Sequence, residues 1–111
     1  MKKMIFISRH EPTAAQHDLA EMTGFQLIPV GDMDAFAYDL RKQIRDRLVR
    51  EDATHISCVH PAIAMTAFAA GAEGVGIFEN AARAAEGEKP TFEPVVLHVF
   101  GKDDEDSWYG P

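Results

Sequence analysis

Apolar positions along the chain fall into short blocks whose spacing switches between the strand and helix periods. Met4 to Ser8 is a brief, nearly continuous apolar run, as suits a strand buried on both faces. Thr13-Ala14-Ala15-Gln16 then has the form of a capping box, in which a hydroxyl and a side-chain amide each satisfy an orphan N–H of a helix start. Leu19, Met22 and Thr23 continue that helix at helical spacing, and Gly24 is the residue that a helix end favours. Phe25 to Val30 predicts a second strand, and Pro29, which has no N–H for a ladder, places it at an edge or a strand exit. Gly31-Asp32 is turn chemistry.

Asp34 predicts the cap of a long second helix. Phe36, Leu40, Ile44 and Leu48 recur every four residues as its apolar stripe, flanked by Tyr38 and Val49. Arg41, Lys42, Arg45, Asp46, Arg47 and Arg50 fill the other faces. Asp39, Asp46, Glu51 and Asp52 dilute the Arg-rich side, which reads as a solvated face rather than a phosphate grip. Thr54 to Val59 predicts a third strand, and Pro61 to Ala70 an alanine-rich helix that ends near Gly71 and can lie close to a sheet. Gly74 to Phe78 and Val95 to Phe100 predict the last two strands, with Pro94 just before the fifth. The segment 79–90 between them is too polar for a core and longer than a usual hairpin loop, so it reads as a lid or a surface excursion.

This succession, β-α-β-α-β-α-β-β, predicts a small three-layer, Rossmann-like α/β domain over residues 1–101. The expected sheet is mostly parallel, with five strands in the order 2-1-3-4-5, the last antiparallel, and with right-handed crossovers. Strands one and three then lie side by side, and the helices that follow them pack on opposite faces. Residues 102–111 form an acidic tail, Asp103, Asp104, Glu105 and Asp106, closed by Trp108 and Tyr109 and read as flexible.

At 111 residues the chain has the length of one domain with one core. Its net charge of −7 argues against extended duplex nucleic acid and against a membrane surface, both of which call for a basic face. A small anion remains open, because a few arginines and helix N-termini suffice locally. Cys58 is the single cysteine and sits in an apolar strand, so it reads as a core residue in a chain suited to the cytoplasm. The apolar run after Lys2 and Lys3 is shorter than the roughly 7–15 residues of a secretory signal core. No stretch approaches the roughly 20 residues of a membrane span.

Chemistry gathers at two strand-to-helix junctions that each end in histidine: Ser8-Arg9-His10-Glu11-Pro12-Thr13 and Cys58-Val59-His60-Pro61. In open α/β sheets, ligands bind outside the carboxyl ends of the strands where the strand order reverses, and these junctions meet there. Arg9 can grip a phosphate in a fork. His10 and His60 can donate, accept or shuttle a proton. Ser8 and Thr13 add hydroxyls, and the free N–H groups of two helix starts favour an anion. Glu79, Asn80 and Arg83 follow the fourth strand and can reach the same crevice from the lid. Each residue also has a purely structural reading: His60 as an N-cap with Pro61 at the first helical position, Thr13 and Gln16 as a capping pair, Arg9 as a partner of Glu11. His17 is expected on an exposed helix face, His55 as a structural residue at the far end of the third strand, and His98 as a core or edge residue. No motif has metal-ligand spacing, and neither a metal nor another cofactor is expected.

Arg9-His10-Glu11-Pro12-Thr13, after a first strand, resembles the Arg-His-Gly-x-Thr motif of the histidine phosphatase superfamily, and Val59-His60-Pro61 resembles its second histidine motif. Glu11 stands where that motif has glycine. The resemblance implies a phosphomonoesterase with His10 as the phosphorylated nucleophile, Arg9 and His60 as phosphate ligands, and Glu79 or Glu11 as proton donor. Ser8-Arg9-His10-Glu11-Pro12-Thr13 and the chain's size are also similar to the small CARF-related, Rossmann-like proteins of CRISPR defence and of the phages that oppose it. That resemblance implies a homodimer that binds a cyclic oligonucleotide. Metal-free cleavage would use His10 or His60 as general acid or base and Arg9 as the charge-stabilising group. A third expectation is a non-enzymatic interaction module that presents its acidic surface to a partner. The leading expectation is a phosphate-containing ligand, a nucleotide or cyclic oligonucleotide, held by Ser8, Arg9, Thr13, His60, Glu79, Asn80 and Arg83.

Overall fold

The structure of the protein is a computed structural model and describes residues 1–81 and 93–102. Five strands and three helices alternate as β1 (Lys2–Ile7), α1 (Ala14–Met22), β2 (Phe25–Gly31), α2 (Leu40–Glu51), β3 (His55–Ser57), α3 (Pro61–Ala69), β4 (Gly74–Asn80) and β5 (Pro94–Gly101). They build the α/β architecture that the pattern predicts, a single sheet of order β2-β1-β3-β4-β5. The β1–β2, β1–β3 and β3–β4 pairs are parallel, and β5 runs antiparallel beside β4. Among the described residues no helix is long and apolar enough to cross a membrane.

The period of two along β1 divides the core. Ile5 and Ile7 face a cluster with Leu40, Ile44 and Leu48 of α2 and Ile63, Ala64, Ala67 and Phe68 of α3. Met4 and Phe6 face the other way, toward Ala20 of α1, Phe25, Leu27 and Leu97. The helices after β1 and β3 therefore cover opposite faces, and β1, paired on both sides, is buried from Met4 to Ile7. Pro29 lies on the edge strand β2, where a missing donor is harmless.

The α1 face of the sheet leaves little room over β4. Burial pushes the His55 imidazole below its ordinary basicity; nearby Lys2 adds to the shift and Glu73 opposes it. Its ring meets Phe25 edge-on with centroids 4.6 Å apart, and its Nδ1 lies 2.6 Å from the Thr54 hydroxyl. A Cβ on Gly74 would sit 2.7 Å from His55 Cδ2 and 2.9 Å from the Phe100 carbonyl oxygen, so glycine here admits the histidine.

Several boundaries differ from the sequence expectation. α2 starts at Leu40, with Asp39 at the N-cap, not after Asp34. Asp34 Oδ1 instead accepts from the Phe36 N–H at 2.9 Å, and its carbonyl accepts from Ala37, so the chain makes turns before the helix begins. Phe36 and Tyr38 consequently leave the apolar stripe and are 84% and 101% exposed. On α1 the buried positions are Gln16 and Ala20, while Met22 is 83% exposed. β3 closes at Ser57, before Cys58 and Val59. β4 continues to Asn80, so Glu79 and Asn80 pair with β5 rather than standing on a lid. Arg83 and the remainder of the lid segment from residue 82, and the tail from Asp103 with Trp108 and Tyr109, lie outside the described residues.

Candidate ligand site at the carboxyl ends of the strands

A cavity of about 920 Å³ opens where β1 and β3 end side by side. Ser8, Arg9, His10, Thr13, His60 and Asn80 all line it. Ser8 continues the β1–β2 pairing, its N–H donating to the Gly31 carbonyl at 3.1 Å. Its hydroxyl accepts from the His10 N–H at 3.1 Å, which turns the chain and leaves the Arg9 and His10 side chains exposed on the rim. The His10 ring engages no hydrogen bond with the described residues.

The two helix starts differ in what they offer. At α1 the capping box is complete: Gln16 N–H donates to Thr13 Oγ1 at 3.2 Å, and Thr13 N–H to Gln16 Oε1 at 2.9 Å. The Ala14 and Ala15 N–H groups have no acceptor among the described residues. At α3 every donor is consumed, contrary to the expectation of two open helix ends. Pro61 has no N–H, Ala62 N–H donates to His60 Nδ1 at 3.1 Å, and Ile63 and Ala64 donate to the His60 carbonyl. His60 is thus the N-cap with proline at the first helical position. Because Nδ1 accepts, the neutral ring carries its proton on Nε2 and acts toward a ligand as a donor. Using His60 as a base would put a second proton on the ring and break the cap.

Phe36 stands edge-on to His60, with centroids 5.6 Å apart and planes at 87°. On the α1 side, Phe6 and Phe78 meet edge to face at 6.4 Å and 70°, flanking the end of β3. Cys58 lines the cavity as a buried neutral thiol: burial pushes it up to about 12, only partly offset by a backbone hydrogen bond at His60, and its Sγ donates to the His60 carbonyl at 3.8 Å. That removes it as a nucleophile at neutral pH. Glu79 does not line the cavity. It alternates with Phe78 and Asn80 along β4, and its Oε2 lies 3.4 Å from His98 Nε2 on β5.

Charge around the mouth is mixed. Arg9 shares the rim with exposed Glu11, Asp32 and Asp34. Among the described residues no group of three or more His, Cys, Asp or Glu side chains converges as a metal site would require.

Four residues that line the cavity escape the sequence reading. Asp32 and Phe36 come from the turn after β2, which the turn chemistry of Gly31-Asp32 signalled but the helical stripe claimed. Gln16 reads as a capping residue only, although a polar residue one turn before buried Ala20 was a usable signal. Ser57 sits inside an apolar strand with nothing to mark it. Comparison with family models, curated proteins and solved structures finds no match to this chain.

Proposed function

We propose that the protein binds a nucleotide or cyclic oligonucleotide in this crevice. The carrying observation is the cavity itself: it is of ligand size, lies at the strand ends where β1 and β3 diverge into opposite helical layers, and is lined by Arg9 and by Thr13 and Gln16 at the start of α1. A phosphate seats at the Arg9 guanidinium beside the start of α1, where the helix dipole favours negative charge. Asp32 at the end of β2 is an acceptor for sugar hydroxyls, which bare phosphate would not use. The mixed rim therefore favours a nucleotide over a simple anion. His60 contributes its Nε2–H donor. His10, whose ring is uncommitted, is the group available to move a proton if an RNA-type ligand is cleaved by attack of its own 2′-hydroxyl on phosphorus.

The test is a thermal-shift screen with cyclic oligoadenylates, the four 5′-mononucleotides, orthophosphate and tungstate, run on the parent and on Arg9→Ala. A ligand at about 100 times its Kd stabilises by about 2.7 kcal/mol. For a domain of this size that raises Tm by about 10 °C or more. The expected result is a shift with a nucleotide or cyclic species that Arg9→Ala abolishes without changing its own Tm. A response to orthophosphate and tungstate alone would replace this reading with a phosphomonoesterase. A flat panel would overturn it in favour of a protein partner.

A further inference from the structure

We infer that Gln16 and Ser57 form a neutral donor floor that receives the base of the nucleotide; this rests on the nucleotide reading above. Both residues line the cavity and both are more than nine-tenths buried, at 5% and 2% exposed. The Gln16 amide is oriented by the capping box. Its Oε1 is occupied by the Thr13 N–H at 2.9 Å, so its Nε2 is the part left over, and that group donates only. Neither Gln16 Nε2 nor the Ser57 hydroxyl has a hydrogen-bond partner among the described residues. Neither atom is sealed off; each faces the open cavity, where something other than the protein must pair it. Two such groups on one cavity wall point to a ligand that completes them.

The surroundings select the chemistry of that ligand part. Ser57 is registered opposite Phe6 on β1, and Phe6 meets Phe78 of β4 edge to face, so the floor is bounded by aromatic rings. Gln16 stands over it from α1. The cation Arg9 is on the exposed rim instead. A phosphate on the floor would give up its hydration for neutral donors and rings. A flat, uncharged heterocycle carrying a carbonyl or ring nitrogen gains both the donors and the aromatic contact. The ligand is therefore divided, with its phosphate at Arg9 and α1 and its base against Gln16 and Ser57.

Gln16→Glu is a clean probe, because Thr-x-x-Glu is as good a capping box as Thr-x-x-Gln. The fold keeps its cap while the cavity exchanges a donor for a carboxylate oxygen. Titration calorimetry would compare the parent, Gln16→Glu and Ser57→Ala with the four nucleoside 5′-monophosphates, their uncharged nucleosides and orthophosphate. The parent should bind at least one monophosphate more tightly than orthophosphate. Gln16→Glu should weaken that nucleotide and its nucleoside about tenfold or more, the nucleoside excluding repulsion of phosphate as the cause. Ser57→Ala should weaken both about threefold or more while orthophosphate binding stays within about twofold. Unchanged nucleotide binding in both variants, or a parent that prefers orthophosphate, would overturn the inference and leave the phosphate site standing. A parent that binds none of these compounds would overturn the nucleotide reading and this inference with it.

Discussion

Replacing His60 with alanine and with asparagine separates its two roles. Alanine removes the acceptor that holds the Ala62 N–H at 3.1 Å, and loss of an N-cap costs about 0.5–2 kcal/mol. It also removes the edge-on contact with Phe36, which at 84% exposure lies at the low end of the roughly 0.5–1.5 kcal/mol such pairs contribute. The sum is about 1–2.5 kcal/mol, and each kcal/mol lowers Tm by about 4–8 °C in a domain of this size. Asparagine is among the best N-cap residues, so His60→Asn should recover most of the cap energy and melt within about 3 °C of the parent. It supplies no imidazole. Thermal and urea unfolding followed by circular dichroism measure the first role, and nucleotide titration of the same proteins measures the second. The expected pattern is a destabilised His60→Ala, a stable His60→Asn, and weakened nucleotide binding in both. A His60→Ala variant as stable as the parent would refute the capping argument. A His60→Asn variant that binds nucleotide like the parent would show that the ring is a cap and nothing more.

Two further outcomes follow from the α1 face of the sheet. The His55 pKa is lowered on folding, chiefly by burial, so protonation favours the unfolded chain; its contribution to stability is full above the ordinary value of about 6.5 and is lost as pH falls through the folded value. Urea midpoints compared between pH 7 and pH 5 should therefore fall more steeply for the parent than for His55→Phe, and equal slopes would exclude His55 as the cause. Gly74→Ala places a methyl group 2.7 Å from the His55 ring and 2.9 Å from the Phe100 carbonyl, backbone that cannot swing aside, so overpacking of about 1–3 kcal/mol is expected. Calorimetric melting should show a fall of about 4 °C or more, and an unchanged Tm would mean that β5 yields freely.

The strand order was legible because short apolar runs, an edge proline and alternating helices leave few arrangements of a small α/β chain. The start of α2 was not. Phe36 fits an every-four-residues stripe whether or not the chain is helical there, and Asp34 can serve equally as a helix cap or as the acceptor of a local turn. Backbone hydrogen bonding decides between them, and sequence spacing carries no record of it. At the site, the junction residues Ser8, Arg9, His10, Thr13 and His60 were legible because the fold class alone locates the crevice. The fully consumed α3 start was less so: it depends on one ring nitrogen turning back to Ala62, an event of rotamer choice. Gln16 and Ser57 were missed because a capping glutamine and a strand serine have sufficient local explanations, and only the cavity shows that part of each is left over.

The unequal helix starts give the crevice a direction. One helix start still has N–H groups to give, while the other has spent all of its own on a histidine and offers a single ring proton in their place. On the proposed nucleotide reading, a ligand that enters end-for-end exchanges one set of donors for another, so the two orientations are not equivalent. The asymmetry follows from the choice of threonine to open one helix and of histidine followed by proline to open the other.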